Sequence, residues 1–77
     1  MSGVATFEVV GMLRDYVKHG PDQIGPVEGF TVTELIRKLG LPEDLVAFVM
    51  VNGQQEPKTY RIRPGDMVKL LPFVGGG

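Results

Sequence analysis

The clearest local structure in the sequence is one short helix with a single apolar face. Thr31-Val32-Thr33-Glu34 fits a capping box, in which the Thr hydroxyl accepts a hydrogen bond from a backbone N–H three residues on and the Glu side chain reaches back. Phe30 and Leu35 have the spacing of a hydrophobic staple, and Gly40 with Pro42 ends the helix. The predicted helix covers about residues 32–39, with an apolar face of Val32, Leu35, Ile36 and Leu39. Because this face must be buried, we expect the helix to lie on a sheet.

Three segments have the sequence patterns of strands. Residues 4–10 contain alternating apolar positions, which is typical of a strand with one buried face. Residues 47–51 form a continuous apolar run that ends at Asn52-Gly53, a strong hairpin-turn pattern. Residues 67–74 form the last predicted strand, and Arg63-Pro64-Gly65-Asp66 before it suits a type II turn.

Three further segments have weaker patterns. Residues 12–17 fit either a short helical turn or an extended strand, and residues 54–60 suit short edge structure. Residues 24–30 are interrupted by Gly25, Pro26 and Gly29, so they form at best an irregular edge strand. The resulting order is strand, weak strand, helix, strand, short strand, strand. It predicts an α+β fold of the β-grasp type, a mixed sheet of four or five strands over one helix, with the first and last strands pairing in parallel.

Composition narrows the class of protein. A chain of 77 residues is expected to form one domain, here residues 1–74, followed by a flexible glycine tail at residues 75–77. Eight basic against nine acidic residues argue against nucleic acid as the main ligand, which needs a clustered positive surface. His19, the one histidine, and the absence of cysteine leave no metal-binding set, so His19 is interpreted as a loop residue. With no apolar run long enough to span a membrane and no secretion pattern, we expect a soluble cytoplasmic protein.

The sequence finishes with three glycines directly after the last predicted strand. By themselves, such residues are more often a frayed end than a functional site. Glycine has no Cβ, however, so a glycine tail can enter a channel too narrow for side chains. From Val74, the three residues reach about 10 Å. The carboxylate of Gly77 is the candidate reactive group, with Gly75 and Gly76 as the rest of the tail.

These features together resemble the MoaD/ThiS family of sulfur-carrier proteins, which have the ubiquitin-like β-grasp. The resemblance lies in the element order, Val51-Asn52-Gly53, Pro64-Gly65-Asp66 and the ending Leu70-Leu71-Pro72-Phe73-Val74 before the glycines. It implies that a partner similar to the ubiquitin-activating adenylyltransferases uses ATP and Mg²⁺ to adenylate the Gly77 carboxylate. A persulfide donor, a cysteine desulfurase or a rhodanese-like protein, would then supply sulfur to form a thiocarboxylate. The chain itself would bind no cofactor and would be a cosubstrate rather than an enzyme.

The resemblance leaves the sulfur acceptor open. Pro72 and Met12-Leu13-Arg14-Asp15 favour the small subunit of molybdopterin synthase, whose acceptor is the large subunit. The short link at residues 40–45 favours the thiamin carrier, whose acceptor is thiazole synthase. A sulfur carrier for another pathway or a ubiquitin-like protein modifier would share the tail. A binding module of the TGS type would share the fold but has no need of terminal glycines.

The last predicted strand also suggests a docking surface for these partners. If Val68 and Leu70 face the helix, Leu71 and Phe73 face outward beside the tail. The candidate partner-docking residues are Leu71, Phe73, Val74, Lys69 and Arg61, the last two as flanking charges. The alternative is that the chain's own loops cover Leu71 and Phe73.

Overall fold

A computed structural model describes residues 3–17, 22–25 and 29–73, which form a five-stranded mixed sheet and one α-helix. The strands are β1 (Ala5–Val9), β2 (Asp22–Ile24), β3 (Val46–Val51), β4 (Gln54–Glu56) and β5 (Met67–Pro72). The helix is α1 (Val32–Lys38), and two short 3-10 helices are η1 (Gly11–Asp15) and η2 (Glu43–Leu45). The strand order across the sheet is β2-β1-β5-β3-β4. The α+β prediction, with four or five strands and one main helix, is confirmed.

The first and last strands lie side by side in the middle of this sheet. β1 and β5 are parallel, with a register that runs from Thr6 opposite Met67 to Val9 opposite Leu70. Beyond that pair, the Val10 N–H donates to the Leu70 carbonyl at 3.1 Å. The other pairings among the described strands are antiparallel. The predicted parallel pairing is therefore present, and β5 is the central strand, between β1 and β3.

The helix begins at the predicted capping box. The Thr31 hydroxyl accepts from the Glu34 N–H at 3.2 Å, and the Glu34 carboxylate accepts from the Thr31 N–H at 2.8 Å. Val32, Leu35 and Ile36 are buried completely. The helix ends at Lys38, with Leu39 as its C-cap. The predicted apolar face thus packs against the sheet.

The core is one cluster that draws on nearly every element. Its buried side chains are Ala5, Phe7, Val9, Leu13, Val17, Ile24, Val32, Leu35, Ile36, Leu41, Val46, Val49, Val51, Ile62, Val68 and Leu70. Burying one Val, Leu, Ile or Phe side chain completely contributes about 1.5–3 kcal/mol.

In the described part of the chain, no helix has the length and apolarity that crossing a membrane requires.

The weaker sequence patterns had mixed outcomes. Residues 12–17 follow the first of their two predicted alternatives, because η1 is a 3-10 helix that buries Leu13. The edge strand β2 covers Asp22–Ile24 and so overlaps the predicted segment 24–30 at Ile24, while residues 26–28 of that segment lie outside the described residues. This strand ends before Gly25-Pro26, and a proline has no N–H to donate to a ladder. Asn52-Gly53 forms the predicted tight turn, with positive φ at both residues and Val51 opposite Gln54.

We expect Leu35→Ala to remove most of the stability of this domain. The side chain is fully buried, and truncating a buried Leu costs about 2–5 kcal/mol, whereas a small single core rarely supplies more than about 3–5 kcal/mol. Urea denaturation followed by circular dichroism measures the loss. Leu39→Ala is the matched control, because Leu39 is only partly buried. Equal losses for the two variants would contradict the assignment of Leu35 to the centre of the core.

Candidate functional site

The two faces of β5 differ in burial. Val68 and Leu70 are completely buried in the core. Lys69 and Leu71 are half-buried on the opposite face, and Phe73, just after the strand, is 67% exposed. The alternation agrees with the sequence prediction. Among the described residues, no loop covers Phe73, whereas Leu71 is partly covered.

A second aromatic side chain, which the sequence did not single out, lies beside Leu71. Phe48 of β3 is the register partner of Leu71 and is 44% exposed. The register shifts between Val46, opposite Pro72, and Phe48, opposite Leu71, so β3 has one extra residue there, a β-bulge at Ala47. In a regular strand, residues two apart share a face. The bulge instead lets Val46 face the core while Phe48 faces outward.

Further outward-facing residues extend this surface along the sheet. Half-buried Met50 lies opposite Lys69, and Glu8 of β1 lies opposite Lys69 on the other side. We name the surface formed by Phe48, Met50, Lys69, Leu71 and Phe73 the outer patch. It combines apolar side chains with one lysine and lies at the end of the central strand.

Arg61 is not brought to this surface by any described contact. Its backbone pairs with Thr31 in an isolated bridge, and its Nη1 donates to the Gly29 carbonyl at 3.4 Å. These contacts lie at the start of α1. The predicted flanking of Leu71 and Phe73 by two charges is therefore supported for Lys69 and not for Arg61.

The remaining predicted site residues lie outside the described residues. Val74 and the glycines Gly75, Gly76 and Gly77 follow the last described residue, Phe73. The Gly77 carboxylate therefore stays a prediction. His19 also lies outside the described part of the chain. Among the described residues, no three His, Cys, Asp or Glu side chains group as a metal site requires.

The start of β5 is fixed by a buried carboxylate. One Asp66 carboxylate oxygen, Oδ1, accepts from the Asn52 side-chain amide at 2.9 Å. The other, Oδ2, accepts from the Tyr60 hydroxyl at 2.7 Å and the Arg63 N–H at 2.9 Å. The Asn52 side-chain oxygen accepts in turn from the Met67 N–H at 2.9 Å. This network ties the β3–β4 turn and the loop before β5 to the first residue of β5.

The same contacts set the protonation of Asp66. Burial by itself raises the pKa of this carboxyl, but hydrogen bonds from Arg63, Tyr60 and Asn52 and the Arg63 charge outweigh burial and lower the pKa below its ordinary value. The hydrogen bond to Asp66 raises the pKa of Tyr60. Asp66 thus stays a charged acceptor at neutral pH. Asp66 lies directly before the first residue of β5, whereas the outer patch reaches the other end of that strand. We therefore assign Asp66 a structural role.

The chain has a mixed sheet, and the crossover between its parallel central strands, β1 and β5, contains the helix α1. This arrangement defines the class of ubiquitin-like β-grasp proteins. Within that class, a model of the ThiS family matches residues 8–77, so the chain belongs to the ThiS family, a family of ubiquitin-like sulfur carriers.

Solved structures agree on the fold. The solution structure of Urm1 from Trypanosoma brucei has a TM-score of 0.72 to this chain, with 18% sequence identity, over 99% of this chain and 97% of that chain. The solution structure of the HVO 2177 protein from Haloferax volcanii has a TM-score of 0.71 to this chain, with 20% sequence identity, over 99% of this chain and 88% of that chain. A comparison with curated proteins found no match.

We expect Asp66→Asn to lower the free energy of unfolding at neutral pH by about 1–3 kcal/mol, because an amide nitrogen replaces one oxygen that accepts hydrogen bonds in a buried site. The folded-state pKa of Asp66 is lowered, so its contribution is complete above the unfolded-state value of about 3.9 and is lost as the pH falls through the lower folded-state value. The difference between the variant and the wild type should therefore shrink below about pH 4.

Urea denaturation at pH 7 and at low pH measures this difference. Asp44→Asn is the control, because the Asp44 side chain is exposed. A loss that is the same at both pH values, or equal to that of the control, would show that the Asp66 charge is not what the network needs.

Proposed function

We propose that this chain is a sulfur carrier whose Gly77 carboxylate is adenylated by a partner enzyme, converted to a thiocarboxylate and used to donate sulfur in cofactor biosynthesis. The observation that carries the proposal is the ThiS family match, which extends through the glycines to residue 77. The structure supports it because the central strand β5 ends at Pro72, shortly before the glycines in the sequence, and an exposed apolar surface lies at that end of the strand.

The chemistry explains why a partner is needed. A carboxylate is a poor electrophile, so the partner, of the ubiquitin-activating type, uses ATP and Mg²⁺ to form an acyl-adenylate and release pyrophosphate. The terminal sulfur of a persulfide, held by a cysteine desulfurase or a rhodanese-like protein, then attacks the acyl carbon, and AMP leaves. A thiol cleaves the S–S bond and releases the thiocarboxylate. The chain acts as a cosubstrate that presents its carboxylate.

The outer patch is the surface by which partners hold the carrier. Phe48 and Phe73 are exposed aromatic side chains near the base of the tail, and Leu71 lies opposite Phe48. Aromatic side chains in desolvated pockets carry a large share of binding energy at interfaces. Lys69, in the same patch, adds a positive charge that suits an acidic group of a partner, and Glu8 on the neighbouring strand β1 lies opposite it.

Molybdopterin synthesis is the favoured pathway. The ending with Pro72 and the Met12-Leu13-Arg14-Asp15 segment resemble the small subunit of molybdopterin synthase, so its large subunit is the first candidate acceptor. Thiazole synthase is the second candidate, favoured by the short link at residues 40–45. Incubating thiocarboxylated carrier with each acceptor from the same genome, and measuring the sulfur lost from the carrier, distinguishes the two pathways.

The thiocarboxylate itself is the primary prediction. We expect co-expression with the adenylyltransferase and sulfur donor of the same genome to raise the intact mass by the difference between sulfur and oxygen. Fragmentation should localise the change to Gly77, and deletion of Gly77 should abolish it. An unmodified mass would contradict the carrier assignment and favour a TGS-type binding module. If the variant that lacks Gly77 still supports normal cofactor synthesis, that result would also contradict the carrier assignment. Attachment of the glycine end to a lysine of another protein would instead indicate a protein modifier.

The docking role predicts that Phe73→Ala and Phe48→Ala each raise the KM for the carrier in adenylyltransferase-catalysed pyrophosphate exchange by roughly tenfold or more, because truncating an anchor commonly costs about 2 kcal/mol. Both side chains are exposed, so the folded state should persist. Met67→Ala is the matched control, an exposed apolar residue at the opposite end of β5. If Met67→Ala raises the KM as much as the two Phe variants do, the outer patch is not the docking surface.

A further inference from the structure

We propose that Gly11 is a positioning residue for partner docking: its bare Cα lets Pro72 approach closely, and this contact sets where Phe73 is presented at the base of the tail. The proposal rests on the proposed function, because it concerns how the same docking surface is built. No sequence pattern pointed to Gly11 for this role.

The approach follows from the parallel pairing of β1 and β5. Val9 lies opposite Leu70, so the chain leaving β1 passes the end of β5. Gly11 is the first residue of η1 and has a φ of +61°. A Cβ built on Gly11 would lie 3.3 Å from Cγ and 3.9 Å from Cδ of Pro72. The shorter distance is tighter than most real Cβ contacts, so a side chain here would force Pro72 to shift.

Pro72 has no rotatable side chain, so a change of ring pucker is the one side-chain movement with which it can absorb part of such a shift. Its ring is closed onto its own backbone nitrogen and fixes φ near −65°. On its other side, Pro72 is the register partner of Val46, which is buried. Pro72 is therefore held between Val46 and Gly11, and a push on its ring moves the backbone that leads to Phe73. Because Phe73 is exposed, lies outside the buried core cluster and directly follows Pro72, its position depends on that of Pro72.

Gly11 differs in this respect from other described glycines with positive φ. Gly29, Gly40, Gly53 and Gly65 also have positive φ, but a Cβ on any of them would meet no atom within 4 Å. An alanine there meets only the backbone strain of a positive φ. An alanine at Gly11 meets that strain and the Pro72 contact. Gly40→Ala is therefore a matched control that carries the backbone strain alone.

The test compares Gly11→Ala with Gly40→Ala in pyrophosphate exchange by the adenylyltransferase of the same genome. We expect Gly11→Ala to raise the KM for the carrier roughly tenfold, which corresponds to about 1.4 kcal/mol, with little change in kcat. Gly40→Ala should leave both constants near the wild-type values. Gly11→Asn is a second variant, because Asn tolerates positive φ and still adds a Cβ. Equal KM values for Gly11→Ala and Gly40→Ala would overturn the proposal.

Removal of the Pro72 ring provides a rescue test. In a Pro72→Ala background, adding Gly11→Ala should raise the KM no further, because the ring it displaces is gone. A tenfold rise in both backgrounds would show that backbone strain, not the contact, is responsible, and would overturn the proposal.

The wild-type chain distinguishes a failure of the proposed function from a failure of the Gly11 proposal. If the wild-type chain supports no pyrophosphate exchange by its adenylyltransferase, the carrier assignment fails. The positioning is then measured by NMR, in which the Phe73 amide resonance should move in Gly11→Ala and stay in place in Gly40→Ala. An unmoved resonance in Gly11→Ala would overturn the positioning role regardless of the enzyme assay.

Discussion

The parallel pairing of β1 with β5 is the constraint on which the rest of the structure depends. A parallel pair needs a long crossover connection, and here β2, α1, β3 and β4 all lie within it. The crossover puts α1 over one face of the central strands, where Val68 and Leu70 are fully buried. The other face is left without a covering helix among the described residues. One pairing thus produces the core, the outer patch and a central last strand.

The two ends of β5 are held by different kinds of interaction. At its start, Asp66 accepts three hydrogen bonds within a buried polar network, which fixes register through directed contacts. At its end, Pro72 offers no N–H, and the aromatic Phe73 that follows is exposed. A strand anchored firmly at its start can leave its end free of polar partners. This asymmetry suits a protein that presents the residues following its last strand.

Short-range patterns explain why so much of the fold was predictable. The capping box at Thr31, the Asn52-Gly53 turn and the alternation in β1 and β5 each depend on residues a few positions apart. Phe48 was not predictable in this way. Residues 46–51 are all apolar, and whether Val46 or Phe48 faces the core depends on a bulge set by pairing with β5. The contact of Arg61 with the Gly29 carbonyl was not predictable either, because proximity in sequence to β5 does not determine which element a side chain contacts.

The addition of Phe48 changes the energetics proposed for docking. Holding Gly75, Gly76 and Gly77 in one conformation within a partner costs about 3–6 kcal/mol, at roughly 1–2 kcal/mol per residue. Glycines have only backbone N–H and C=O groups, and no side chains, with which to offset this cost, so much of the affinity must come from the folded domain. Two exposed aromatic anchors beside Leu71 can supply energy of that size. Because the tail's ordering cost opposes the docking energy, the net affinity stays modest, and a carrier that visits an activating enzyme and then an acceptor can leave each of them.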